Sequence, residues 1–251
     1  MSKPVSRIWV VLRYLLAFAL FGVVLQFTFR KLAYHWEWGG VWEYRQQFIN
    51  GWFFTLGLSA CALMGSVLLG TGLALARRGG WAVISETARI YVELIRGTPL
   101  LVQILILFYG VFDQVGITNR FVAGVLILSG FAGAYLSEII RAGIEGVGAS
   151  QIESARAIGL STVQTYRYVI FPQALRAILP PMAGQFASLV KDSSLLSIIG
   201  IGEFTRAAQD VNSFTLGTLE SYLPLALGYL ILTLPISLWT QALENKHRFD
   251  T

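Results

Sequence analysis

The sequence predicts an all-α, polytopic membrane helix bundle of about six spans, on three observations. Only 13% of the 251 residues are charged, about half the share a soluble domain uses to keep its surface wetted. The hydrophobic residues, 55% of the chain at a mean hydropathy of +0.62, come in long runs. Neither Gly51 to Ala76 nor Ser221 to Leu243 holds a charge, and crossing the hydrocarbon core takes about 20 apolar residues. Seven Trp, sixteen Phe and ten Tyr suit aromatic belts at the two lipid–water interfaces.

Taken in order, spans are expected near 8–29, 51–76, 90–112, 121–143, 177–200 and 221–243. The first comes after Lys3, Arg7 and Arg13, as a signal peptide would. Its apolar stretch Tyr14 to Phe29 is long for one, and no small-x-small cleavage site lies beyond it, which favours a retained anchor. The third contains Pro99. Residues 99–112 alone reach only about 21 Å at 1.5 Å per residue. That span therefore either starts near Ile90 and kinks at Arg96-Gly97-Thr98-Pro99, or is short and preceded by an interfacial helix; the sequence leaves both open. The glycines at 65, 70, 72, 130 and 133 are read as packing devices that let membrane helices approach.

Six spans put both termini on one side, and positive charge says which. With the N-terminus inside, eleven Lys and Arg fall in cytoplasmic segments and five in outer ones, leaving aside Arg13, Arg96 and Lys191 within or beside spans. Both ends are therefore expected in the cytoplasm, and 144–176 becomes the largest inner loop.

That loop carries the densest local code. Ser150-Gln151-Ile152-Glu153 has the form of a capping box, in which serine and glutamate satisfy each other's backbone N–H groups. Gly159 offers the left-handed conformation that closes a helix. Ser161-Thr162-Val163-Gln164 repeats the box, and Pro172 is expected to stop the helix that this second box begins. The spacing predicts two short helices, about 151–158 and 162–171, hinged at Gly159-Leu160. Ile152, Ala155 and Ile158 recur at helical spacing. That small apolar face would suit either a docking protein or the chain's own bundle, and periodicity does not choose between them.

The run Glu153-Ser154-Ala155-Arg156-Ala157-Ile158-Gly159-Leu160-Ser161, followed by Ile170-Phe171-Pro172-Gln173-Ala174-Leu175-Arg176 and Leu179-Pro180-Pro181, resembles the EAA loop of ABC-importer permeases. The usual pattern is Glu-Ala-Ala with Gly four residues beyond the last Ala; here Ser154 replaces the first alanine. Glu93 to Gln103, Gly133 to Ile144 and Leu189 to Leu195 resemble the polar-amino-acid uptake branch of that family. The resemblance runs from about Gly51 to the C-terminus. It implies a five-helix permease core, residues 49–251 with the coupling loop 144–176. Residues 1–48 form an N-terminal anchor helix and outer loop. It implies a bacterial cytoplasmic (inner) membrane, a second permease subunit (copy or paralogue), two cytoplasmic ATP-binding subunits and an extracytoplasmic solute-binding protein. ATP and magnesium would sit on the partner ATPase, with no cofactor on this chain. Glu153, Ser154, Ala155 and Gly159 match the motif and would couple to the ATPase.

Lys191 and Asp192 fall about twelve residues into a span expected to start near Leu179. Such charges cost about 2.5–3.5 kcal/mol each at a helix centre. Adjacent residues point about 100° apart on a helix and cannot simply neutralise each other. Glu138 and Arg141, and Glu93 and Arg96, are candidate partners. One reading lines a polar path for an amino acid with Lys191, Asp192, Ser193 and Ser194, joined by Gln103, Glu138 and Thr55; the other is an interhelix network that braces the bundle.

Other functions find little support. No Walker pattern occurs, so no P-loop binds ATP. His35 and His247 are isolated, the single Cys61 excludes a disulfide within the chain, and no paired carboxylates occupy one helix face with acid–base spacing. An enzyme and a metal site are not expected. The charge of +5 is scattered between apolar runs, unlike a nucleic-acid-binding face. The alternatives are an ATPase-independent secondary transporter or channel, for which inverted repeats are missing, and a non-transporting scaffold.

Overall fold

The computed structural model describes residues 34–247, with side chains to Leu243, and isolated helical positions between 15 and 28. The chain divides into two units at Gly39/Gly40. In the first, Trp36 and Trp38 stack with ring centroids 5.6 Å apart. The anchor expected at 8–29 lies largely outside the described residues. A short helix, α1 (Trp38–Glu43), leads into the second unit.

The second unit is built on two long helices, α2 (Arg45–Ala76) and α5 (Arg120–Glu145), which pack along most of their length. Gly51, Thr55, Leu58, Ala62, Ser66, Gly70 and Ala74 are buried on one face of α2, recurring every three or four residues. Small residues let the two backbones close. A Cβ on Gly70 would lie 2.8 Å from the Gly133 carbonyl oxygen, and Ser129 Oγ donates to Ala62 O at 3.2 Å. Four of the five glycines expected to pack do so; Gly72 has open space around it.

Between them stand α3 (Ala82–Gly97) and α4 (Leu100–Leu105), the latter continuing through a π-helical turn, Ile106–Phe112. The two arms meet at 111°, which fits either a broken span or a re-entrant pair. Pro99 is extended and accepts from Val102 N and Gln103 N, so it starts α4 where its missing N–H costs nothing.

After α5 come α6 (Ala149–Ala157), α7 (Thr162–Thr165) with a π-helical turn Tyr166–Ile170, and α8 (Phe171–Asp192) followed by a 3₁₀ stretch, Ser193–Ile199. Pro172 does not stop the helix as expected. The backbone stays helical from Thr162 to Asp192, because the wider π turn ahead of Pro172 spares its ring the carbonyl one turn back. The last elements are α9 (Phe204–Thr215) and α10 (Thr218–His247).

Among the described residues three helices are long and apolar enough to cross a membrane, α2, α5 and the stretch 218–243 of α10, or four if the bent pair is one span. The span expected at 177–200 begins earlier, at Phe171, and carries Arg176, Lys191 and Asp192. In the most apolar window of α5 61% of residues are buried, against 11% in α10. So α5 is the axis of the bundle, and α10 turns its apolar surface away from the chain. The core around Leu58, Ile104, Ile127, Leu128, Leu189 and Leu196 joins α2, α4, α5, α8 and the 3₁₀ stretch.

Candidate functional site

The loop after α5 folds into a rigid elbow. The first expected capping box does not form: α6 starts at Ala149 with Gly148 as its cap and no side-chain hydrogen bond there, so Ser150 already lies inside the first turn. The end of α6 is closed by backbone hydrogen bonds across the turn. Gly159, at φ +82, lets its N–H reach Arg156 O at 2.9 Å while Leu160 N reaches Ala155 O at 3.1 Å. This paired closure satisfies the last carbonyls. The second box forms as expected: Gln164 N donates to Ser161 Oγ at 3.3 Å and Ser161 N to Gln164 Oε1 at 2.8 Å.

These two devices stand back to back with Leu160 alone between them, so each helix end is capped at the turn. The chain's own bundle takes the face carrying Ile152 and Ala155: Ile152 packs on Val147, Ile170, Ala174 and Ile178, and Ala155 is 3% exposed. Ile158 does not share that face. It is 77% exposed and Val163 76%, with Glu153, Ser154 and Gly159 exposed beside them. Among the four residues expected to couple, Ala155 thus points inward and three point out.

Two arginines at the end of α2 tie the elbow's surroundings together. Arg77 pairs with Glu138 Oε1. Glu138 Oε2 meets Arg141 at 2.8 Å and, more loosely, Arg96 at 3.6 Å, and Arg141 also pairs with Glu145 at 2.5 Å. One carboxylate thereby gathers the ends of α2, α3 and α5. Arg78 donates to Tyr166 Oη at 3.2 Å, linking α2 to the elbow itself.

The residues expected on a path are not all together. Lys191 and Asp192 form the last turn of α8, exposed and half-buried respectively, twenty residues from its start rather than the twelve expected. Ser193 and Ser194 open the 3₁₀ stretch, where the tighter turn re-aims side chains; Ser193 Oγ donates to Val190 O at 2.7 Å. Glu138 lies apart among its arginines, and Glu93 pairs with Arg89. Among the described residues neither Lys191 nor Asp192 has an ion-pair partner, so the expected pairings with Glu138, Arg141, Glu93 and Arg96 do not occur. Gln103 Nε2 donates to Ile95 O at 2.7 Å and Thr98 O at 3.1 Å, which pins the bend between α3 and α4.

Sequence reasoning missed a polar corner at the other end of α5, where Arg120 Nη1 donates to Gly200 O at 2.9 Å. Glu203 is fully buried and caps α9, accepting from Thr205 N and Arg206 N at 2.8 Å each and from Tyr229 Oη at 2.9 Å. Burial pushes its carboxyl above the usual range, and the two backbone donors only partly offset this. Thr55, expected to face a path, is buried here and accepts from Phe204 N at 3.0 Å. An acid one residue before the Phe204 helix start was the available signal.

Comparison with known proteins fits this architecture. Residues 66–249 match the family described as the binding-protein-dependent transport system inner membrane component. The glutamine transport system permease protein of Escherichia coli strain K12 is 35% identical over 84% of this chain and 97% of its own. The L-cystine transport system permease protein of Bacillus subtilis strain 168 is 37% identical over 78% and 85%. A crystal structure of an amino acid ABC transporter with histidines aligns at TM-score 0.78 and 37% identity, covering 85% of this chain and 100% of that one. The methionine transporter at TM-score 0.68 and 17% identity shares the fold. The chain therefore belongs to the family of inner-membrane components of binding-protein-dependent transport systems, as a multi-pass, non-catalytic ABC permease subunit that works with other transporter subunits, among them the separate ATPases that hydrolyse ATP.

Proposed function

We propose that this permease imports polar amino acids, forming the path with a second permease subunit (copy or paralogue) above two ATP-binding subunits that hold ATP and magnesium. An extracytoplasmic solute-binding protein delivers the cargo, and both termini lie in the cytoplasm. Residues 49–251 are the transport domain and 1–48 an accessory anchor. The cargo reading rests on the relatives, whose names specify glutamine and cystine transport.

The coupling reading rests on one observation above the others: a rigidly capped elbow that leaves Glu153, Ser154, Ile158 and Gly159 outside. Large apolar side chains held out in water favour a partner surface. Ala155 acts from inside, where its small size lets α6 sit close to α7. A stroke delivered to the outer face passes through Ile152 to Ile170, Ala174 and Ile178, and so to α5 and α8. Lys191, Asp192 and Ser194 then present both signs of charge and a hydroxyl to a zwitterion, with Ser193 buried behind them and Gln103 holding the neighbouring bend. Glu138 sets the inner end of that path through its arginines.

The experiment is uptake of labelled glutamine into proteoliposomes. With ATPase and binding-protein partners the expected result is ATP-dependent uptake, weakened by raising KM in Asp192→Asn. Uptake of equal rate by the permease alone would sink the reading.

A further inference from the structure

We propose that a cavity behind the elbow is a binding site for a phosphate group, which clamps the elbow to the end of α2. The cavity holds about 140 Å³. Its lining includes Arg78 from the end of α2, Arg156 from α6, and Thr162, Thr165 and Tyr166 from the next helix. Two exposed arginines from segments almost eighty residues apart in sequence thus line one recess, beside Ile144, Ile152, Leu160 and Ile170.

Neither has an acidic partner among the described residues, a state shared with Arg45, Arg120, Arg167 and Arg176, whereas Arg77, Arg89, Arg96, Arg141 and Arg206 each form an ion pair. The nearby acids are already committed: Glu138 to three arginines and Glu145 to Arg141. Glu153, three residues before Arg156, is exposed and makes no ion pair with it. An anion placed between two guanidinium groups is attracted by both. Guanidinium forks match the oxygens of a phosphate two at a time. Arg78 is already aimed, because Tyr166 Oη accepts from it at 3.2 Å.

A recess of about 140 Å³ has room for a phosphate group with a little water. The group can come from the headgroup of an anionic phospholipid or from free inorganic phosphate. Either would bridge α2 to the elbow and stiffen the link through which the elbow moves the bundle.

The test uses the complete transporter with its partner subunits, in nanodiscs. Binding of inorganic phosphate in phosphatidylcholine discs is followed by broadening of its phosphorus resonance at constant ionic strength. In a second arm, retention of phosphatidylglycerol from mixed discs is read by native mass spectrometry. Arg78→Gln and Arg156→Gln are each expected to weaken binding roughly ten-fold, as loss of one charge-assisted contact implies. Arg156→Lys should restore part of it. Arg167→Gln, on the same loop but outside the cavity, should leave it unchanged.

Response in the first arm alone identifies free phosphate, and in the second alone a lipid headgroup. Absence of binding in both arms overturns the proposal, as does equal weakening by Arg167→Gln, which would mean a diffuse basic surface. If Arg156→Gln instead releases the ATP-binding subunit with no change in phosphate or lipid binding, the recess receives a protein carboxylate and the phosphate site is wrong. Binding is measured without cargo, so this result is separable from failure of the amino-acid reading.

Discussion

The elbow and the Glu203 corner sit at opposite ends of α5 and solve the same problem differently. Each must hold helices at a fixed angle where the chain leaves the bundle. The elbow does it with backbone geometry, a left-handed glycine and one reciprocal box, and keeps its outer side chains in water. The corner does it with a buried carboxylate that three donors from α9 and α10 converge on. Local bonding suits a part that must be read from outside, since no tertiary contact is lost when a partner arrives. A buried carboxyl with several partners suits a joint that must not open, because any loss leaves polar groups dry.

The sharpest way to break this contrast is at the corner. Glu203→Ala leaves two backbone donors without an acceptor, at about 1–3 kcal/mol each, while the Tyr229 hydroxyl keeps only Thr205 Oγ1 as partner. The purified protein should lose more melting temperature to this change than to any elbow substitution. Glu203→Gln keeps an acceptor and should lose far less. The pH dependence has a definite sign. A carboxyl raised by burial contributes its full stability below its unfolded value, about 4.3, and that contribution is lost as pH rises through the higher folded value. Wild type should therefore lose melting temperature relative to Glu203→Gln across that window. Equal slopes for the two would mean the corner does not hold by the protonation of this group.

At the elbow the expected effect shifts from stability to coupling. Gly159→Val forces a branched residue to φ +82, at about 1–2 kcal/mol for the left-handed region, with no steric clash around it because its surroundings are open. Melting temperature should fall modestly, while uptake driven by partner ATP hydrolysis should fall at least ten-fold. Uptake at the wild-type rate with normal expression would show that the elbow's geometry does not transmit.

The same contrast explains what the sequence could tell. Elements written in contiguous residues were legible: the long apolar runs of α2, α5 and α10, the turn at Gly159, the box at Ser161-Gln164. Charges whose meaning depends on distant partners were not. Glu138 read as a path residue because nothing nearby in the chain reveals Arg77 or Arg96. Gln103 read the same way, although it pins a bend whose 111° angle no local signal fixes. Pro172 read as a stop because the π turn that accommodates it has no strong sequence mark. The roles of the coupling residues and of Lys191 to Ser194 remain proposals drawn from placement.

The smallest predicted effect tests whether a capping motif works wherever its letters occur. Ser150 and Ser161 both head a Ser-x-x-Glu/Gln string, yet only Ser161 caps: its hydroxyl accepts from Gln164 N, whereas α6 begins before Ser150 and uses Gly148. Ser161→Ala should therefore cost about 1 kcal/mol. Ser150→Ala, inside the first turn, should be neutral or slightly stabilising, since alanine is the better helix former. Hydrogen exchange at the amide of Gln164, faster in the first variant and unchanged in the second, reads the difference directly. The contrast matters because the elbow is short. With its glycine turn intact, the Ser161 box is the second of the two devices that hold its angle, and a partner pushing on Val163 would meet a looser arm once that box is gone.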